Sequence, residues 1–168
     1  MELLLKKSTE KEIILLHEIL VACGKEMYDR FNLTHWHPFM DLETFKKVMK
    51  DKDLYGVYQN QTAIATFNIS TQSRDYYHEE LWSNPGEKAL YLGQLAINPA
   101  LQKKGIGKWC MQQVERMAFK MGCKAIRFDA LDSHPWLKAF YKNLDYSPCG
   151  IVTPNKWDLA CFEKIINN

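Results

Sequence analysis

The sequence has no C-x-x-C pair, no internal repeat, no low-complexity tract and no linker rich in Pro, Gly or Ser. Each absence removes a class of answer. The five cysteines, Cys23, Cys110, Cys123, Cys149 and Cys161, are odd in number and widely spaced, which speaks for a reducing compartment, the cytoplasm. With no linker there is no domain boundary, so 1–168 are expected to form a single domain, long enough to bury a core without staples. No apolar run approaches the ~20 residues a membrane span needs, and the run Met1 to Lys7 is too short for the apolar region of a signal peptide. Net charge is nearly absent, with 22 basic residues against 20 acidic, so neither nucleic acid nor a membrane is expected as a partner of the surface as a whole. His, Cys and carboxylates nowhere fall at metal-ligand spacing; His35 and His37, two apart in a loop, are too few for a metal site.

What is present is an alternation of elements. Leu3 to Leu5 can form a first strand; Thr9 and Glu12 then make a capping-box signal ahead of a helix striped by Ile13, Leu16, Leu20, Cys23 and Met27. After a loop from Arg30 to Met40, Asp41 caps a second helix with Leu42, Phe45 and Met49 inward. Leu54–Tyr58 and Ala63–Ser70 read as a hairpin; in the second strand Ala63, Ala65, Phe67 and Ile69 form a mostly apolar face, and Ile64, Thr66, Asn68 and Ser70 a mostly polar one. Thr71 to Glu87, rich in aromatics and charges, is long for a connector and reads either as a functional flap or as a connector with a short helix around Glu79 to Trp82. Beyond it a strand Ala89–Ile97, a helix Gly105–Met121 striped by Ile106, Cys110, Val114, Met117 and Met121 and stopped by Gly122, a strand Ala125–Leu131, a helix Pro135–Leu144 and a strand Trp157–Phe162 predict a mixed α/β sheet covered by helices.

The chemistry concentrates in Leu95 to Lys108, where a strand leads through a loop with two close glycines into a helix. Glycines there let the backbone approach a ligand and turn its N–H groups inward, and a helix start adds about half a positive charge. With Lys103, Lys104 and Lys108 around it, the loop is suited to a ligand carrying several phosphates. A Walker loop would need glycine where Gln102 stands and Ser or Thr where Trp109 stands; a Rossmann loop would need glycine at Cys110. Both are disfavoured.

What remains, Q-x-x-G-x-G at the end of a strand, resembles the signature [RQ]-x-x-G-x-[GA] of the GNAT acetyltransferase superfamily. The resemblance continues past the loop. Leu92–Pro99 is similar to the family's fourth strand, Gly105–Met121 to its cofactor-binding helix, Lys124–Leu131 to its fifth strand, and Trp136–Tyr146 to its A-x-x-F-Y-x-x-x-G-F helix; the first seventy residues, roughly, follow the family only in the order of elements. The resemblance implies an α/β fold with a mixed, mostly antiparallel sheet flanked by helices on both faces. It also implies an N-acetyltransferase that moves an acetyl group from acetyl-CoA to a primary amine, on a small molecule or a peptide, by direct attack in a ternary complex. The alternative is a catalytically silent member that binds acyl-CoA as a sensor or interaction module. Either is expected as a monomer or homodimer.

By the same resemblance Leu95, Ala96 and Ile97 would offer backbone groups to the pantetheine arm and the developing oxyanion, and Gln102, Lys103, Lys104, Gly105, Ile106, Gly107 and Lys108 would hold the pyrophosphate. Tyr141 stands where many members place the tyrosine that protonates the leaving thiolate, a role set against that of a packed helix aromatic. Trp36 and His37 lie in the loop that in the family covers the acceptor; with the segment Tyr76 to Trp82 they would wall the amine pocket, or else these aromatics cap the core under a long loop. Two departures stand out: His134 occupies a position where the family often has a cofactor-contacting asparagine, and would itself serve as a cofactor contact or a helix-start residue, and Asp145 replaces the glycine after the last helix. The general base is open among His37, His78, Glu79, Glu80, Asp129 and a water relay, since Gln94, where some relatives have glutamate, cannot accept a proton. Cys110 at a helix start suggests a covalent acyl-enzyme, but its spacing with Ile106 and Val114 puts it on the apolar stripe.

Overall fold

Apolar residues at helix and strand spacing sort into four helices and seven strands in the computed structural model, which describes residues 2–167. In chain order these are β1 (Leu4–Lys7), α1 (Ile13–Phe31), α2 (Leu42–Met49), β2 (Asp53–Gln59), β3 (Thr62–Ser70), β4 (Ala89–Ile97), α3 (Ile106–Lys120), β5 (Ala125–Leu131), α4 (Leu137–Lys142), β6 (Ser147–Val152) and β7 (Leu159–Ile165). The strands form one seven-stranded sheet in the order β1-β2-β3-β4-β5-β7-β6. β1 with β2, β2 with β3, β5 with β7 and β6 with β7 pair antiparallel. β4 and β5 pair parallel, Ala89–Tyr91 against Ala125–Arg127, which requires a crossover, here α3. The expected mixed, mostly antiparallel sheet is what the chain builds.

Element boundaries depart from the sequence reading where edges and turns decide them. β1 runs to Lys7 and pairs with Tyr55 to Tyr58; its lysines suit an edge strand. β6 has no strand signal, because Pro148 and Gly150 interrupt it; only an edge strand with a register shift at that point tolerates both. β7 begins at Leu159, later than Trp157, and α4 spans only Leu137–Lys142. The polar face expected for β3 is buried at Ile64, Thr66 and Asn68, with the Thr66 hydroxyl donating to the Tyr55 carbonyl at 2.9 Å. On α3, Ile106, Cys110 and Val114 are buried as expected, joined by Met111 and Ala118, whereas Met117 is half-buried and Met121, just past the end of the helix, is exposed.

The chain divides into two compact units, one made of the residues up to Ile69 with Gly93–Cys110, the other of Ser70–Leu92 with the residues from Met111 on. In the first, Leu16, Ile19, Leu20 and Cys23 of α1, Phe45 and Met49 of α2, Leu54 and Ala96 form one buried cluster, with Trp36, Phe39 and Met40 packed against it. The loop carrying those aromatics docks on α1 at Gly24, where a Cβ would lie 1.9 Å from the Trp36 carbonyl oxygen. Only glycine permits that approach.

In the second unit, adjacent positions of β5 point to opposite faces. On one face Phe128 packs with Phe162 of β7, Tyr141 of α4 and Tyr146, at centroid distances of 5.6, 4.5 and 5.1 Å. On the other, Arg127 lies opposite Glu163 and pairs with it at 2.8 Å, both side chains buried. The guanidinium also donates to the Tyr91 hydroxyl at 3.3 Å and the Asn84 carbonyl at 2.7 Å, and lies 5.1 Å from the Trp82 ring centre. The segment 71–87 is therefore the connector with a short helix, a 3-10 turn at Glu79–Leu81, rather than a flap. It is held by buried Tyr77 and Trp82 and by the Ser83 amide, which donates to Glu163 at 2.9 Å.

Candidate functional site

Within β4, Gln94 sits at φ 48, in the left-handed region that non-glycine residues avoid. Its side-chain oxygen accepts from Asn68, itself buried in β3, at 3.0 Å. Nothing in the sequence marks this kink, which redirects the strand just before Leu95, Ala96 and Ile97. Past the strand the Asn98 amide donates to the Ile64 carbonyl at 2.8 Å, the Asn98 side chain accepts from the Ala100 amide at 3.1 Å, and Pro99–Leu101 form a 3-10 turn. Lys103 at φ 62 and Gly105 at φ 83 then place two left-handed residues around Lys104. Such local reversals turn successive amides toward one side and form an anion-binding concavity. A Cβ on Gly105 would meet no neighbour, so it is backbone conformation, not space, that calls for glycine there. The first bond of α3 runs from the Trp109 amide to the Gly105 carbonyl at 3.0 Å, and the amides ahead of it have, as at any helix start, no partner inside the helix. Lys103, Lys104 and Lys108 are exposed around them.

In the other unit, Tyr141 is buried on α4, its ring against Phe128 and 5.5 Å from Phe162. α4 closes over Asp145: the Tyr146 amide donates to the Tyr141 carbonyl at 3.1 Å and the Asp145 amide to the Lys142 carbonyl at 3.0 Å. This is the pair of bonds that ends a helix over a left-handed residue. Asp145 has φ 63, so it occupies the conformation for which the expected glycine is suited. Aspartate tolerates it better than most residues, but at a cost. Asp145→Gly should therefore raise stability by about 0.5–1 kcal/mol in a denaturant titration; a loss of stability would mean that the carboxylate makes a contact that outweighs backbone strain.

Residues 16–146 match the family model of the acetyltransferase (GNAT) family. The chain belongs to that family. Acyltransferase activity in general goes with membership. Solved structures agree in fold: a GNAT-family acetyltransferase from Streptococcus agalactiae superposes with a TM-score of 0.82 at 13% identity, over 99% of this chain and 96% of that one. The ribosomal-protein-S18-alanine N-acetyltransferase of Escherichia coli gives 0.71 at 14%, over 99% and 96%. The PaiA N-acetyltransferase of Thermoplasma acidophilum, solved in complex with coenzyme A, gives 0.70 at 15%, over 98% and 99%. Among curated proteins no match is found.

The remaining residues of interest in this GNAT chain fall into place less uniformly. His134 is half-buried, its Nδ1 accepting from the Trp136 amide at 3.3 Å, and burial holds its pKa below the ordinary histidine value. Trp36 packs edge-on to Phe39 at 5.7 Å, and His37 stacks on Tyr28 at 4.4 Å. Among the groups weighed as bases, His78, Glu79 and Glu80 are exposed at the 3-10 turn. Asp129 is engaged: one oxygen accepts from the hydroxyls of Tyr76, at 3.0 Å, and Tyr77, with the Arg74 guanidinium 3.8 Å away. Arg74 also donates to the Leu92 carbonyl at 3.1 Å, so Asp129 acts as a tether for the segment 71–82. Cys110 is fully buried and burial pushes its thiol up to about 12, which removes the acyl-enzyme reading. Among the described residues no group of three or more His, Cys, Asp or Glu could hold a metal, and no helix is long and apolar enough to cross a membrane.

Proposed function

We propose that the chain is an N-acetyltransferase that transfers an acetyl group from acetyl-CoA to a primary amine, on a small molecule or a peptide, by direct attack in a ternary complex. The observation that carries this reading is the loop from Asn98 to Lys108, with left-handed residues at 103 and 105, a helix start and three exposed lysines. A pyrophosphate suits this combination of amides and charge. In this reading Gln102 to Lys108 hold the pyrophosphate through backbone and lysine charge, and Leu95 to Ile97, beyond the kink at Gln94, give backbone groups to the pantetheine arm and the oxyanion. Trp36 and His37 wall the amine pocket. The reducing compartment that suits five free cysteines is the cytoplasm.

The amine, freed of its proton through water, attacks the thioester carbonyl carbon. The C–N bond forms, the C–S bond breaks, Tyr141 gives its hydroxyl proton to the departing sulfur, and the proton that the new amide nitrogen sheds passes through water to restore the Tyr141 hydroxyl. An alkyl thiol has a pKa comparable to the ~8.5 of cysteine and leaves almost unaided, so Tyr141→Phe should lower kcat by about 10², the lower end for general acid catalysis, with acetyl-CoA affinity and melting temperature little changed. A rate within about twofold of the parent, measured where chemistry limits, would reduce Tyr141 to packing.

The decisive experiment is an assay of CoA thiol release with acetyl-CoA and a panel of amines, beside calorimetry with acetyl-CoA alone. Turnover of at least one primary amine is expected. Binding without any turnover would favour the silent acyl-CoA sensor, and neither binding nor turnover would overturn both.

A further inference from the structure

We infer that Cys23 and the side chain of Gln102 are positioning residues, not ligands: the Cys23 thiol and the Gln102 carboxamide converge on the carbonyl oxygen of Ile97, at 3.0 and 3.2 Å, and set the end of β4 from which the loop 98–108 departs. A carbonyl oxygen has two lone pairs, and here each has a donor. One donor comes from the buried face of α1, where Cys23 is only 4% exposed. The other comes from the residue that follows the 3-10 turn, so the side chain of Gln102 folds back on the strand its own loop has just left.

Two consequences follow. The Ile97 carbonyl has no capacity left for a ligand, so any contact Ile97 makes with a pantetheine arm has to come from its N–H. The Gln102 carboxamide, spent on that carbonyl, shapes the loop, and recognition of an anion is left to backbone amides and lysines. Burial pushes the Cys23 thiol up to about 12; it therefore keeps its hydrogen and stays a donor. Because the two donors share one acceptor, either alone holds Ile97 more loosely, and the loss of both releases it altogether.

The tie can be read in the free protein, and only its effect on affinity rests on the acetyl-CoA reading. Hydrogen exchange of peptides covering 98–108 should rise about threefold to fivefold in Cys23→Ala and in Gln102→Ala, the worth of one hydrogen bond, and in the double variant by more than the product of the two. Cys23→Ser, whose hydroxyl also donates, should exchange like the parent. Acetyl-CoA affinity, by calorimetry, should fall in the same order while melting temperatures stay close. Unchanged exchange in both single variants, or a double variant no worse than the product, would overturn the shared tie. Looser exchange with unchanged acetyl-CoA affinity would overturn the positioning role. If Cys23→Ala fails to fold, Gln102→Ala and Cys23→Ser still decide, through the loosening of one and the silence of the other. If the parent itself binds no acetyl-CoA, the exchange order still tests the tie, and it is the proposed function that fails.

Discussion

Glu163→Ala should be the most destabilising single change in the second unit, costing about 3–5 kcal/mol, because it leaves the guanidinium of Arg127 buried without its carboxylate. For a chain of this size that corresponds to a melting temperature lower by about 6–20 °C. The loss is larger than an exposed ion pair could produce, since Glu163 serves two partners at once, Arg127 at 2.8 Å and the Ser83 amide at 2.9 Å. Pairing alone does not make the charges favourable, however. Arg127→Met combined with Glu163→Leu should recover part of the loss, because apolar residues of similar volume need no solvation. The same carboxylate gives the protein an acid limb. Burial by itself would raise the Glu163 pKa, but the hydrogen bonds from Ser83 and the charge of Arg127 outweigh it and hold the carboxyl below its ordinary range. A group depressed in the folded state contributes stability above its unfolded pKa and loses it as pH falls through the folded value. Parent stability should thus decline below the ordinary carboxylate range, more steeply than that of the double apolar variant. Parallel acid limbs in the two proteins, or a Glu163→Ala loss under about 1 kcal/mol, would show that the pair is not what anchors the segment 71–87.

The contrast between loop and anchor shows what the sequence could carry. The loop was legible because its parts are local: strand, two glycines, lysines and helix start are contiguous from Leu95 to Lys108, and each has a conformational reason. The helix stop at Gly122, at φ 68, was legible for the same cause. Arg127 and Glu163 left only a faint trace, two of the charges inside otherwise apolar strands, and their partnership depends on the register of β5 against β7, which no local pattern encodes. The kink at Gln94 left none, since a glutamine in a strand of otherwise ordinary composition gives no sign of a positive φ. β6 was hidden by Pro148 and Gly150, the residues that mark it as an edge. Asp145 reads as a departure from the family pattern until its φ of 63 shows it filling the glycine's conformational role.

Gly107→Val should abolish measurable acetyl-CoA binding, by about a thousandfold, while leaving the protein folded. Gly107 lies in the first turn of α3, after the left-handed pair and ahead of Trp109, whose amide makes the first internal bond to Gly105. Helical backbone accepts valine at least as well as glycine, so the substitution carries little conformational cost. Its branched side chain instead occupies the space through which a phosphate would approach the amides of the first turn. Hydrogen bonds to a charged group are worth about 1.5–3 kcal/mol each, so denying two of them gives a loss of the predicted size. Lysine charge cannot compensate, because Lys103, Lys104 and Lys108 are exposed and act through solvent. Gly107→Ala, with one methyl group, should fall between parent and valine variant. Calorimetry on folded protein reads the result directly. An unchanged affinity in Gly107→Val would mean that a phosphate does not approach the helix start, and the acetyl-CoA reading of the loop would fall with it.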